Sequence, residues 1–549
     1  MKHTNCLGFW SGGDIRPEPY EEIIADLIQD VRRPINMVSC DDGIHVALGG
    51  NIALSPDATK PHDADKHGGY PMVASVPPLP PESLGDPYFK SVLGLRYAYV
   101  VGAMANGITS VDMVEAAARA GMLGFFGAAG LDIANIEQSI ERLKQRLGHL
   151  PFGVNLIHSP ADPDLEFATV QRFLNHGITL ISASAFMDLT PALVYYRIKG
   201  ICHNADNTVI CPNRLVGKIS REEVARKFFS PPPAKIINWL LEKGLVSSLE
   251  AELSAQVPMA DMLTAEADSG GHTDNRPALS LLPTIIALRN QLAETYAYGL
   301  PLYVGLGGGI ATPEAAAAAF SMGAAYVLAG SIHQACMEAG TSDMVRKLLA
   351  EAGQADVAMA PAADMFEMGV KVQVLKRGTM FPLRAAKLYD LYSRHAAFES
   401  ISEKDRVILE RDYFRQSFGD QWLQTRSFFQ HRDPSQIKKA ETDPRHKMAL
   451  VFRSYLGQSS NWANQGDPSR QMDYQIWCGP SIGAFNAWVK GTFLESPENR
   501  TTDVIAMNLL LGAATLMRSN QLKLQGIGLP EAACQYRPKP LAEIEKMLG

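Results

Sequence analysis

Residues 261–275, DMLTAEADSGGHTDN, pass from an apolar, strand-like run (Met262, Leu263, Thr264, Ala265) through acids and two glycines, Gly270 and Gly271, to His272. A chain that leaves a buried strand through glycines lets a ligand come close to backbone. Imidazole is the side chain most easily tuned to give or take a proton near neutral pH. His272 is therefore the candidate catalytic acid. The competing reading is a histidine that only hydrogen-bonds inside its loop.

Two further glycine turns carry a different chemistry. Gly307, Gly308 and Gly309 precede Thr312-Pro313, a cap followed by a first-turn proline, and Gly330-Ser331 follows the next apolar run. Turns of this kind present free backbone N–H groups and a helix dipole to an anion. When they follow strands seven and eight of a barrel they form its usual phosphate site, for which Gly308, Gly309, Gly330 and Ser331 are the candidates. A third loop, with Ala103, Met104, Ala105 and Asn106, is small enough for a flat ring to lie on it. A flat, phosphorylated cofactor suits the combination, and FMN fits. Lys218 would then place a cation near the ring's N1 and C2 carbonyl and stabilise its reduced form, or else it is a solvated lysine at a strand end. Asn155 would hydrogen-bond the ring edge or cap its own turn.

The elements that must position these residues are eight apolar runs, 97–101, 122–126, 152–156, 178–182, 214–219, 262–265, 302–305 and 325–329, separated by helix-prone stretches. Strand and helix in alternation over roughly 250 residues predict a (β/α)8 TIM barrel, an α/β fold. A doubly wound open sheet is the alternative. The long crossover at 220–258 predicts a helical insertion over the barrel mouth. The expected organisation is a small α+β module with a proline-rich linker (1–90, the linker at 71–87), the FMN-binding barrel (91–360) and a mainly helical subdomain (361–549).

A length of 549 residues, 46% apolar and 20% charged content describe a globular enzyme with ample core. A net charge of −7 gives no overall attraction to nucleic acid or anionic membrane. The seven cysteines show no C-x-x-C pair, which argues against a disulfide framework or a zinc site, and no apolar run spans a bilayer. The expectation is a cytoplasmic protein without a metal, bound to neither nucleic acid nor membrane.

The segments YAYVVGAMANGITS, GFFGAAGL, PFGVN, AEADSGGHTDN, VGLGGGIATP and LAGSI resemble the flavin-binding loops of the nitronate monooxygenase-like FMN barrels, which include enoyl-carrier-protein reductases. The flanking segments GFWSGGDIRPEPYE, PINMVSCDDGIHVALGG, MAPAADMFEMGVKVQVLKRGTMFPLRAAKL and DPSRQMDYQIWCGPSIGAFNAWVKGTFLE are similar to the PfaD-type trans-acting enoyl reductases of polyunsaturated fatty acid and polyketide synthases. This resemblance implies reduction of a 2-enoyl thioester on an acyl carrier protein, with NADPH reducing FMN and His272 serving as proton donor or as a grip on the thioester carbonyl. It implies carrier domains as partners and leaves a homodimer open. A nitronate monooxygenase and a non-catalytic scaffold are the other readings. A local basic run at 370–387 (Lys371, Lys376, Arg377, Arg384, Lys387) is the candidate carrier dock, the competing reading being a basic sheet edge.

Overall fold

The computed structural model describes residues 6–54, 69–160 and 162–549, so parts of the amino-terminal module, 1–5 and 55–68, lie outside the described residues. Asp42-Gly43, a dipeptide suited to a tight hairpin turn, joins Ile35–Cys40 to Gly43–Ala47, with Cys40 opposite Gly43. The hairpin belongs to a six-stranded sheet in which Tyr70–Val76 is a central strand between Gly8–Ser11 and Ile35–Cys40. Residues 70–76, expected mostly as linker, thus join the sheet. Their run of buried Met72, Val73, Ala74 and Val76 supplies an apolar face that outweighs Pro71.

All eight apolar runs become strands of one closed parallel barrel: β1 (Tyr99–Val101), β2 (Leu123–Phe126), β3 (Gly153–Ile157), β4 (Leu180–Ser184), β5 (Arg214–Ile219), β6 (Met262–Glu266), β7 (Tyr303–Gly307) and β8 (Val327–Ala329). β8 pairs with β1 in parallel, which excludes the open doubly wound sheet. The lower interior is filled. A short helix, α1 (Pro87–Leu93), is capped by Asp86, whose carboxylate accepts from the Tyr88 and Phe89 N–H groups. It carries Phe89 into the barrel floor, where the ring stacks on Tyr326 at 4.4 Å and meets Tyr303 edge-on. With the floor closed by aromatics, only the end where the strands finish is open to a ligand.

The helical ring draws on distant chain. Directly after β8 comes a 3-10 turn, His333–Ala335, and the next helix, Asp343–Ala350, begins eight residues beyond it. The helix that packs against both α2 (Val111–Arg119) and α3 (Pro313–Ser321), beside β8, is α6 (Thr502–Leu524). It is apolar almost all round, as a helix buried on every side must be. Gly512 permits the closest approach, since a Cβ there would meet Pro313 at 2.6 Å. The far end of α6 packs on the amino-terminal sheet, and buried Arg518 donates to the carbonyls of Leu27, Asp30 and Arg33.

The 220–258 insertion does not lie over the mouth. Glu222–Phe229 is the ordinary helix descending after β5, so the remainder of the insertion starts at the opposite end of the barrel. There Leu253 and Val257 pack with Ile201 and Cys211 from the loop before β5. At the same end Asp261, the first residue of the motif stretch, pairs with buried Arg197 at 2.6 Å and with Arg214 at 3.0 Å. The mouth is covered instead by carboxy-terminal helices, α4 (Phe418–Arg432) and α5 (Pro444–Gln465). That region is helical as expected, apart from a three-stranded sheet in which Lys371–Leu375 runs between Gly271–His272 and Val357–Pro361.

Candidate active site

A cavity of about 700 Å³ lies between the strand ends and this helical roof. Every catalytic and cofactor-binding candidate named from the sequence as such lines it: Ala103, Met104, Ala105 and Asn106 after β1, Asn155 on β3, Lys218 on β5, Gly270, Gly271 and His272 after β6, Gly308 and Gly309 after β7, Gly330 and Ser331 after β8. The barrel brings them together because each sits at or just past the end of a strand.

The anion corner has room for a phosphate. Gly309 adopts φ +81° with nothing within 4 Å of where a Cβ would stand, and a Cβ on Gly330 would meet only Met104, at 4.0 Å. A side chain at either position would occupy the cradle. Gly308 differs, because at φ +83° its Cβ would meet the Ala267 backbone at 2.7 Å, so glycine is needed there for the fold itself. Thr312 caps α3 with Pro313 in the first turn, as expected. The corner is finished from afar: the Gly479 N–H donates to the Ser331 hydroxyl at 3.0 Å, and Ser481, at the start of another helix, also lines the cavity.

Asn106 holds a left-handed backbone, φ +57°, which asparagine tolerates better than most residues. Its Nδ2 donates to Ser460 on α5 at 2.9 Å, tying the first loop to the roof. Asn155 is buried, and its Oδ1 accepts from the Ser184 hydroxyl at 2.9 Å. Lys218 is no solvated lysine. Its Nζ lies 2.7 Å from Glu266 Oε1 on the neighbouring strand, and both side chains are largely buried.

The Gly-Gly-His loop is clamped at several points. Asp274 accepts from Arg221 through both oxygens at 2.8 Å and from Ser220, and the Arg221 contact holds its carboxyl down at about 2. Buried Gln373 donates to Asp268 and to the Ser269 carbonyl, each at 2.8 Å. His272 itself pairs through Nε2 with Asp364 at 2.9 Å. Burial opposes its charging, but the hydrogen bond and charge of Asp364, with Glu266 adding and Lys218 opposing, leave its pKa above the ordinary imidazole value. Asp364 is held in turn, because Arg453 on α5 donates to the adjacent Ala363 carbonyl at 2.9 Å and to Glu367.

Several of these features escaped the sequence reading: Asp364, Glu266, the 479–481 segment and the roof. A second imidazole did too. His158, directly after β3, lines the same cavity beside Glu166. Its position past a strand end was the available signal. Three of the five basic residues at 370–387 are paired: Arg384 with buried Asp473, Lys387 with Asp405, and Arg377 with Glu351 and Asp356, while Lys371 and Lys376 are exposed. The strand in this run is central in its sheet, not an edge. Cys40, Asp42 and His45 bring donor atoms within 4.8 Å of one another at the amino-terminal hairpin, a grouping that cysteine spacing did not suggest, and none of them lines the cavity. Among the described residues no helix is long and apolar enough to cross a membrane.

Comparison with known proteins agrees with this geometry. Residues 90–397 match the nitronate monooxygenase family, and residues 395–474 match the inserted helical domain of acyl-carrier-protein S-malonyltransferase. The chain is 46% identical over 473 residues to a polyunsaturated fatty acid synthase subunit of Thraustochytrium sp., covering 84% of this chain and 32% of that protein. It is 45% identical over 437 residues to polyketide biosynthesis protein PksE of Bacillus subtilis, 79% of this chain and 57% of that one. The chain therefore spans a third to somewhat over half the length of these curated relatives. Among solved structures, the enoyl reductase domain of MlnA from Bacillus amyloliquefaciens superposes with a TM-score of 0.77 at 39% identity, covering 80% of this chain and 99% of that domain. The chain belongs to the nitronate monooxygenase family, and within it to the group that contains the MlnA enoyl reductase domain.

Proposed function

We propose that the protein is an FMN-dependent enoyl reductase that uses NADPH to reduce 2-enoyl thioesters carried on acyl carrier protein, acting in trans for a polyunsaturated fatty acid or polyketide synthase. The observation that carries this reading is the meeting, in one cavity, of an open glycine cradle, a carboxylate-held histidine and a helical roof. When bound, FMN supplies hydride transfer from the nicotinamide to the β-carbon. The chain supplies the rest. Gly309, Gly330 and Ser331 face the phosphate, and Ala103 to Asn106 offer a flat floor for the ring. The Lys218–Glu266 pair sets the local charge. His272, held by Asp364, grips the thioester carbonyl or gives a proton. The roof excludes water from the reacting atoms. Its match to the inserted domain of an enzyme named for the acyl carrier protein, and the synthase names of the relatives, support a carrier partner.

The test is an absorbance spectrum of the purified protein, then anaerobic NADPH, then crotonyl-coenzyme A. A yellow protein that bleaches and recolours supports the reading, and one that bleaches but stays bleached counts against it. The family's own name favours a second reading, oxidation of alkyl nitronates. Oxygen consumption with an alkyl nitronate and no NADPH distinguishes the two.

A further inference from the structure

His158 stands directly after β3, on the side of the barrel roughly opposite β6 and the His272 loop. Its Nδ1 is 2.9 Å from Glu166 Oε2, which also accepts the Ser159 N–H at 3.0 Å, while Oε1 accepts the Thr190 hydroxyl. Glu166 is only 3% exposed and lies in the first turn of the helix Pro163–Asn175, where the dipole favours a carboxylate. The Ser159 N–H and the Thr190 hydroxyl hold the carboxylate in place. With Nδ1 facing this acceptor, Nε2 is the nitrogen left for a ligand. Among the described residues Nε2 has no hydrogen-bond partner, and the Phe186 ring packs against the imidazole at 5.0 Å. The other dyad is built the opposite way. His272 is held through Nε2, and its partner Asp364 is half exposed.

We propose that His158 is a catalytic acid of this site, protonating the α-carbon of the substrate, while His272 holds the thioester carbonyl. The inference rests on the enoyl reductase reading above. As hydride adds to the β-carbon, the alkene π pair moves to the α-carbon and forms the new C–H bond with the Nε2 proton of the His158 imidazolium. The N–H pair stays on Nε2, and solvent at the cavity mouth returns the proton. Glu166 is the positioning residue: it fixes the tautomer and its charge stabilises the imidazolium.

The experiment uses the flavin-loaded protein, NADPH and crotonyl-coenzyme A in D₂O. His158→Gln is expected to keep its flavin and its bleaching by NADPH, to recolour about 10²-fold more slowly, and to lose single-face deuteration of the product's α-carbon, read by NMR. His158→Asn, smaller but still able to hydrogen-bond Glu166, serves if the first variant loses flavin. ¹⁵N-histidine NMR of the parent, assigned by the signal missing from His158→Gln, should show Nδ1 protonated in both the imidazolium and the imidazole form, with Nε2 the nitrogen that exchanges its proton, without any turnover. Recolouring within about twofold of the parent with the α face retained would make His158 structural and overturn the inference, as would loss of α-face control in His272→Ala instead. A Nε2–H tautomer would overturn it as well. A parent that never recolours overturns the reductase reading, a result distinct from a defect confined to the variants.

Discussion

The Gly479 N–H donates to the Ser331 hydroxyl at 3.0 Å, joining the loop after the last barrel strand to a segment 148 residues further along the chain. The same distant segment also touches the histidine loop, where a Cβ on Gly270 would meet the Cys478 backbone at 2.7 Å. The anion corner and the histidine loop are thus braced by the same short stretch.

The corner can be tested without disturbing the fold at Gly330. Its backbone is not left-handed and only Met104 stands near its missing Cβ, so Gly330→Val should fold, keep its thermal midpoint within a few degrees and purify colourless. Flavin at full occupancy in that variant would remove the phosphate from this corner. Gly308 is a poor choice for the same purpose, because its backbone conformation is itself required.

His272 should act after the cofactor is reduced. His272→Ala is expected to bleach with NADPH as the parent does, yet to recolour with crotonyl-coenzyme A about 10²-fold more slowly. Asp364 raises the pKa of His272 above 6.5, so the protonated imidazole persists to higher pH in the parent. Asp364→Asn removes that charge and should move the alkaline limb of the recolouring rate to lower pH. A limb that stays in place would separate Asp364 from the titration.

Lys218 and Glu266, 2.7 Å apart, should shift the flavin potential in opposite directions. Lys218→Met removes a positive charge from the site and is expected to lower the potential. Glu266→Gln removes a negative one and is expected to raise it. Redox titration against a dye of known potential reads both, and two shifts of the same sign would show that neither charge acts on the ring directly.

Buried His333 should weaken the protein in acid. Burial pulls its pKa down to about 3, and its Nε2 shares a hydrogen bond with the Tyr99 hydroxyl at 2.7 Å. Between 6.5 and that value the unfolded chain takes up a proton that the folded chain refuses, so the stability from this residue falls as pH drops through that range. His333→Gln should show a smaller loss of thermal midpoint between pH 7.5 and pH 5 than the parent. An equal loss would assign the acid sensitivity to other groups.

Local pattern was enough for the barrel and for the residues at its rim. Each strand is a short apolar run, and each rim residue lies within a few positions of the run's end, so the order 214–219 then Ser220-Arg221, or 262–266 then Gly270 to His272, carries its own placement. Closing the barrel turns that one-dimensional order into a ring, which is why His272, Lys218, Asn155 and the glycines of three loops converge on one cavity. The hairpin at 35–47 was legible for the same reason, since its register is a matter of neighbours.

What only the tertiary structure decided depends on contacts between distant segments. The strand at Tyr70–Val76 looks like a linker until it is given edges to pair with. α6 reads as one more apolar helix until the gap beside α2 and α3 shows where its surface is buried. The basic run at 370–387 resembles a surface patch because its partners, Asp473, Asp405, Glu351 and Asp356, are remote in sequence or on another element. The partners that set the chemistry of the two histidines obey the same rule. Asp364 reaches His272 across 92 residues, and the Thr190 hydroxyl, 24 residues along the chain, holds the Glu166 carboxylate beside His158. A side chain's type can be read from the sequence, whereas its protonation and orientation are set by whichever groups the fold places within about 3 Å of it.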